Sequence, residues 1–314
     1  MDTVTLATPA FNPVVPTAAT SCVLIDLSIK VWTGRILDKE ASNDVTQKNN
    51  ADMGIATVTK RLMAGCEELR ALIKHGANSR NLHYAMTAPF SDTGLRVCLM
   101  PAYIKANGYE QTMSAAQAQF YKLRDALGAV YDWEVAQAQV KARFALGDLY
   151  RAEEYPKWES LVDKFQFRYN AMPMPESGNW VMDISNASLD AMREQYETFR
   201  KEQLLSAMHD IWKRAHTALS KMSERLDYPD GEDKTTRKIF HNSLVDNVME
   251  IVDLMDGCNI TNDPTMTAAK QQLEQALRGV TPAALREDNA LRAKTKKQVD
   301  DIKKIIDNLP SIGI

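Results

Sequence analysis

Five histidines, four cysteines and a scatter of paired acids are the residues of this chain with most chemistry to offer, and their spacing organises little of it. His209 and His216 stand two helical turns apart, ~10 Å, too far to hold one metal from a single helix face. His75, His83 and His241 begin no HExxH or comparable ligand set. Cys22, Cys66, Cys98 and Cys258 lie far apart with no CxxC pair, and read as small buried hydrophobes of a reducing cytoplasm. The chain has no GxxxxGK[ST] phosphate loop, no GxGxxG after a strand and no GxSxG elbow. Asp253 with Asp256, and Asp300 with Asp301, read as solvated helix surface. Asp230, Glu232 and Asp233 beside Gly231 lack the alternating ligands and closing Glu of a calcium loop, so they read as a turn. The expectation is a chain with no catalytic residue, no metal ligand set and no cofactor.

Two stretches and one charged run hold more promise as contact surface. Trp32-Thr33-Gly34-Arg35 sets an aromatic ring, a flexible glycine and an arginine fork at a strand end, where the fork suits a carboxylate or phosphate. The plainer reading has Trp32 packed and Arg35 paired with Asp38. Phe165-Gln166-Phe167-Arg168-Tyr169 alternates aromatics as a base-stacking platform does, but also as a sheet edge or helix end does. Lys294, Lys296 and Lys297 belong to a basic run diluted by Glu287, Asp288, Asp300 and Asp301. Trp32, Arg35, Lys294, Lys296 and Lys297 are thus the candidate partner contacts, in a protein with no other visible site.

The elements that would position these residues are mostly helices. Between Ser185 and Leu226 the apolar positions Leu189, Met192, Tyr196, Phe199, Leu205, Met208, Trp212, Ala215, Leu219, Met222 and Leu226 recur at steps of three and four. One step of six, with Gln203 inside it, breaks the rhythm without ending the helix. Such a helix spans roughly 60 Å and needs other long helices beside it. Ser114 to Arg151 offers a matching rod, with Gly128 and Gly147 as bends or close contacts, and the two predict a coiled-coil-like antiparallel pair. Further helices are predicted over Val58–His75, Lys157–Tyr169, Arg237–Met255, Pro264–Leu277, Pro282–Ala293 and Lys294–Asn308. Cys22–Trp32, Leu95–Met100 and Trp180–Ile184 predict a small sheet. The fold class is therefore α+β, mainly α. An extended arm occupies 1–21, sheet and helices 22–184, and the central helix with the C-terminal helices 185–314, the last two forming one elongated body.

Composition narrows the function classes. A net charge of −3 in 314 residues gives no electrostatic case for a general nucleic-acid or anionic-membrane binder. Fifteen Met and 7% aromatic residues suit packed helices. No window approaches eighteen apolar residues, and the start lacks an export signal, so a cytoplasmic protein is expected. The Pro-containing arm before Cys22 suits lying on a neighbouring subunit, which predicts a homo-oligomer.

Several segments resemble an uncharacterised phage and bacterial family, domain of unknown function 3150. They are Ile25–Ile29 with Trp32–Arg35; Phe165–Tyr169 before a Pro turn; Ala207–Trp212 and Met222–Leu226 on the long helix; and Phe240–Asn247 followed by Asn259–Pro264. The resemblance covers nearly the whole chain after residue 21. It implies a cytoplasmic protein of a phage or bacterium, from a family often encoded near a MoxR or cobalt-chelatase type AAA+ ATPase and a von Willebrand A-domain protein. It brings no catalytic residue. A helical adaptor or assembly partner of the ATPase is the implied role, with a nucleic-acid-associated phage protein as the alternative.

Overall fold

The computed structural model describes residues 22–52, 54–174, 186–227 and 243–308. The expected arm before Cys22, the strand at Trp180–Ile184, His241 and the Asp230–Asp233 turn lie outside the described residues. Strand β1 (Cys22–Lys30) leads to β2 (Arg35–Asp38), α1 (Lys39–Lys48), β3 (Val58–Arg61) and α2 (Glu67–Met86). Then come β4 (Ala88–Pro89), β5 (Arg96–Leu99), α3 (Met100–Ile104), the long α4 (Tyr109–Leu146), α5 (Trp158–Leu161) and β6 (Gln166–Pro173). The second long helix α6 (Asn186–Leu226) precedes α7 (Ser243–Cys258), α8 (Pro264–Leu277), α9 (Pro282–Glu287) and α10 (Asn289–Asp307). The protein is mainly helical, with a small antiparallel sheet ordered β4-β5-β1-β6 and a separate β2–β3 pair.

The chain forms two compact units that interleave in sequence. Among the described residues, one comprises 22–26, 84–109, 170–174, 186–227 and 243–308; the other comprises 27–52, 54–83 and 110–169. They are called the α6 unit and the α4 unit below.

In the α6 unit the seam of the long helix is buried from Leu204 onward as its spacing requires, whereas Leu189, Met192 and Tyr196 of the expected seam are only half-buried. Leu204, Ala207, Met208, Ile211, Trp212, Ala215, Leu219, Met222 and Leu226 are all buried, and the helix packs against α10, α7 and β4. The irregular step is resolved by Leu204, which is buried where Leu205 was expected, while Phe199 stays partly exposed edge-on to Phe90. The helix that backs this seam is thus α10. The rod predicted over Ser114–Arg151, here α4, belongs to the other unit. Helix α10 answers with Thr295, Val299, Ile302 and Ile306, again at three- and four-residue steps. Polar ties flank the seam: Ser223 donates to Asp300, and His216 Nε2 lies 3.0 Å from Asp307. Asp263 caps α8 through the Thr265 and Met266 amides, with Pro264 at its first position, so this helix starts where its sequence says it must.

The α4 unit corrects two helix expectations. Val58–Arg61 is β3, and only from Glu67 does α2 begin. Short runs rich in β-branched residues do not choose between strand and helix until a partner is present, and here β2 supplies one, with Ile36 opposite Lys60. Likewise Lys157–Tyr169 is one turn of α5, a 3-10 turn over Val162–Lys164 and then β6, with Phe165 just before the strand and Phe167 within it both buried. Gln117 and Tyr121 of α4 donate to the Phe167 carbonyl and hold that strand. Gly128 of α4 marks a close contact: a Cβ there would stand 2.7 Å from the Trp158 ring. Gly147, at φ +52, ends the helix.

Candidate functional site

Trp32 to Arg35 forms the turn between β1 and β2. Gly34 adopts φ +67, and its carbonyl accepts from the Leu62 amide at 2.7 Å. Trp32 is half-buried, edge-on to Tyr131 at 6.4 Å, at the head of an aromatic column that runs through Trp158 to Phe165. Arg35 is exposed, and its expected partner is otherwise engaged: Asp38 faces Lys60. Across the β2–β3 pair Arg35 stands directly opposite Arg61, also exposed. Like charges in that position repel, and an acidic group shared between the two forks would relieve them. The three lysines lie in the other unit, on α10. Lys296 is held by Asp300 at 2.9 Å and by Asp227 at 3.7 Å, whereas Lys294 and Lys297 are exposed. Within the run around them Arg292 is buried, so this is a helix with one packed and one solvated face. The aromatic strand is a sheet edge with Phe165 and Phe167 inside, which removes those two rings from any stacking role.

The most elaborate polar site in the α4 unit escaped the sequence reading. Lys60 is 3% exposed, and its ammonium donates to Glu154 Oε1 at 2.6 Å and to the Leu149 carbonyl at 3.0 Å. It also lies 3.0 Å from Asp38 Oδ2, an ion pair without hydrogen-bond alignment. Asp38 Oδ1 meanwhile caps α1 by accepting from the Ala41 amide. Burial disfavours the charge on Lys60, but the Glu154 and Asp38 contacts outweigh it and hold the ammonium above its ordinary pKa. Asp38 is held below the usual carboxylate range by the Ala41 amide first and by Lys60 second. A lysine that serves as a base or forms a Schiff base needs the opposite shift. Lys60 is a charged tether that joins β3, α1 and the segment after α4. The Tyr150 and Tyr155 rings pack 6.2 Å apart in the same unit, with hydroxyls that are buried and without a hydrogen-bond partner.

A second grouping is Cys66, Glu68 and Glu134, whose ligand atoms lie within 4.8 Å of one another. Cys66 precedes α2, and its sulfur accepts from the Leu69 amide at 3.5 Å. Burial pushes its thiol up; the Leu69 amide opposes this, and Glu134 and Glu68 add to it. The set offers one sulfur and two carboxylates, enough in number for a divalent ion with an open position, although no residue spacing announced it.

The cysteines are all free and buried, as their isolated positions implied. Burial raises the Cys22 thiol to about 11 and the Cys98 thiol to about 12, and pushes Cys258 higher still. At pH 8 a thiol at 11 is ionised in only about one molecule in a thousand. We therefore expect the native protein to react slowly with a thiol-titrating disulfide reagent at that pH, and all four thiols to react once guanidinium unfolds it. A fast native phase would place at least one sulfur in solvent.

No protein family, curated protein or solved structure matches the chain.

Proposed function

We propose that this chain is a non-enzymatic helical interaction protein that associates with itself. The observation that carries the reading is on α4, where Trp133, Val140 and Phe144 are 63%, 57% and 88% exposed on one side of the helix. Scattered exposed apolar residues are ordinary, but a contiguous stripe with two aromatics marks a binding surface. The charged, tethered state of Lys60 supports the same reading, because this buried ammonium is engaged in holding the fold together. Light scattering at tens of micromolar tests it: more than one 35.2 kDa subunit per particle is expected, and a strict monomer would remove self-association.

The resemblance to family 3150 adds a ring ATPase of the MoxR type as the proposed partner, in a phage or bacterial cytoplasm. Arg35 opposite Arg61 gives an acidic surface something to bind. Co-elution with the neighbouring ATPase, and a change in its ATP hydrolysis rate, are the expected results. If neither occurs with both proteins folded, the adaptor role fails. The same arginine pair favours the alternative, a nucleic-acid partner, for which a gel shift should weaken steeply with salt.

A further inference from the structure

We infer that the exposed face of α4 is the surface on which a second copy of this chain docks, antiparallel, helix against helix. The inference rests on the reading of the chain as a self-associating protein and names where and how it does so.

Helix α4 is apolar on two opposite sides. One side is committed to its own unit through Phe120, Leu127, Tyr131, Ala138 and Ala142, all buried. The other carries Ala126, Ala129, Trp133, Ala136, Val140 and Phe144, all exposed. Their steps are three, four, three, four and four, the spacing of a coiled-coil seam, and they run along about 28 Å of helix. A helix with two apolar sides needs a cover on each of them. The inner face is covered within the unit, and the outer face is built as regularly as the inner.

The chemistry of the stripe selects its own copy as the cover. An antiparallel copy centred near Ala138 overlaps the large half of the stripe with itself and sets Trp133 against the partner's Phe144, with Ala126 and Ala129 beyond the overlap. Ala136 then meets the partner's Val140, a small residue against a larger one. The charges agree. Asp132 and Arg143 lie three helical turns apart on the same flank of the stripe. In an antiparallel pair like flanks face each other, so each Asp132 meets the partner's Arg143, twice per dimer. A parallel, in-register pair would stack Trp133 on the partner's Trp133 and set Asp132 beside the partner's Gln137, without charge pairing. The aromatic and valine side chains of two copies bury on the order of 1,000 Å², the lower limit for a specific interface. An interface at that lower limit suits a weak dimer, seen at tens of micromolar.

Analytical ultracentrifugation of the full chain tests the surface separately from self-association itself. The wild type should form a dimer at tens of micromolar. Phe144→Glu should raise the dissociation constant by about 100-fold or more. Its circular dichroism should be unchanged, and its melting curve should match the wild type's at dilutions where the wild type is monomeric, because Phe144 is 88% exposed. Ala136→Glu repeats the test at another exposed position, should the first variant fold poorly. Asp132→Arg and Arg143→Asp should each weaken the dimer by about tenfold, and the double exchange should restore it. A dimer untouched by Phe144→Glu and Ala136→Glu would overturn the surface and leave self-association through another face. A monomeric wild type would overturn both. Failure of the double exchange to restore the dimer would overturn the antiparallel register.

Discussion

Leu219→Asp is expected to unfold the α6 unit. Leu219 is fully buried on the seam of α6, where α10 and α7 close over it. A carboxylate there has no partner and no water, and the chain must protonate it, open the seam or unfold. The cost is at least about 4 kcal/mol, in the range reserved for unpaired buried charges. That is a large share of the roughly 5–15 kcal/mol by which a domain is stable. Leu219→Ala, which leaves only a cavity, should cost about 2–5 kcal/mol. Lys221→Asp, two residues on and exposed, should stay within about 0.5 kcal/mol. Denaturant unfolding of the three variants orders them. If Leu219→Asp unfolds with the wild-type midpoint, the seam is not the core of this unit.

The second large effect is at Lys60. Replacing it with Met keeps the volume and removes the cation, so Asp38 and Glu154 are left facing each other in a partly dry site. Glu154 keeps some contact with solvent, which puts the cost at the lower end for a broken buried pair, roughly 3 kcal/mol. Hydrogen exchange over 35–61 should report it, since β2, α1 and β3 all depend on this one ammonium.

The pH dependence gives the effect a sign. Asp38 has a lowered folded pKa, so its contribution is complete above the ordinary carboxylate value of 3.8 and is lost as pH falls through the folded value. Lys60 has a raised folded pKa, so its contribution is complete below 10.5 and is lost only as pH rises through the folded value. The wild-type unit should therefore hold a plateau from mildly acidic to mildly alkaline pH. In Lys60→Met the two carboxylates repel, and protonation relieves them, so the variant should gain stability as pH falls from 7 towards 5. A variant that follows the wild-type curve would show that the ammonium is not what holds these acids.

What the sequence determined by itself was local. The three-and-four rhythm of Met208, Trp212, Leu219 and Met222 names a long helix, because the pitch of a helix fixes which residues share a side. Asp263 and Pro264 name the start of α8, because capping involves only the next turn. The isolated cysteines gave their own burial. Tertiary structure decided everything that needs a distant partner. Val58–Arg61 and Gln166–Pro173 became strands because other segments offered edges to pair with or a core to enter. Lys60 reads in sequence as one more surface lysine; Asp38, the Leu149 carbonyl and a glutamate 94 residues away made it a buried tether. The same holds for α4, whose residues announce a helix but not which of its two apolar sides is already covered. Periodicity gives the direction of a side chain relative to its own helix, and only the packing of the chain gives what stands there to meet it.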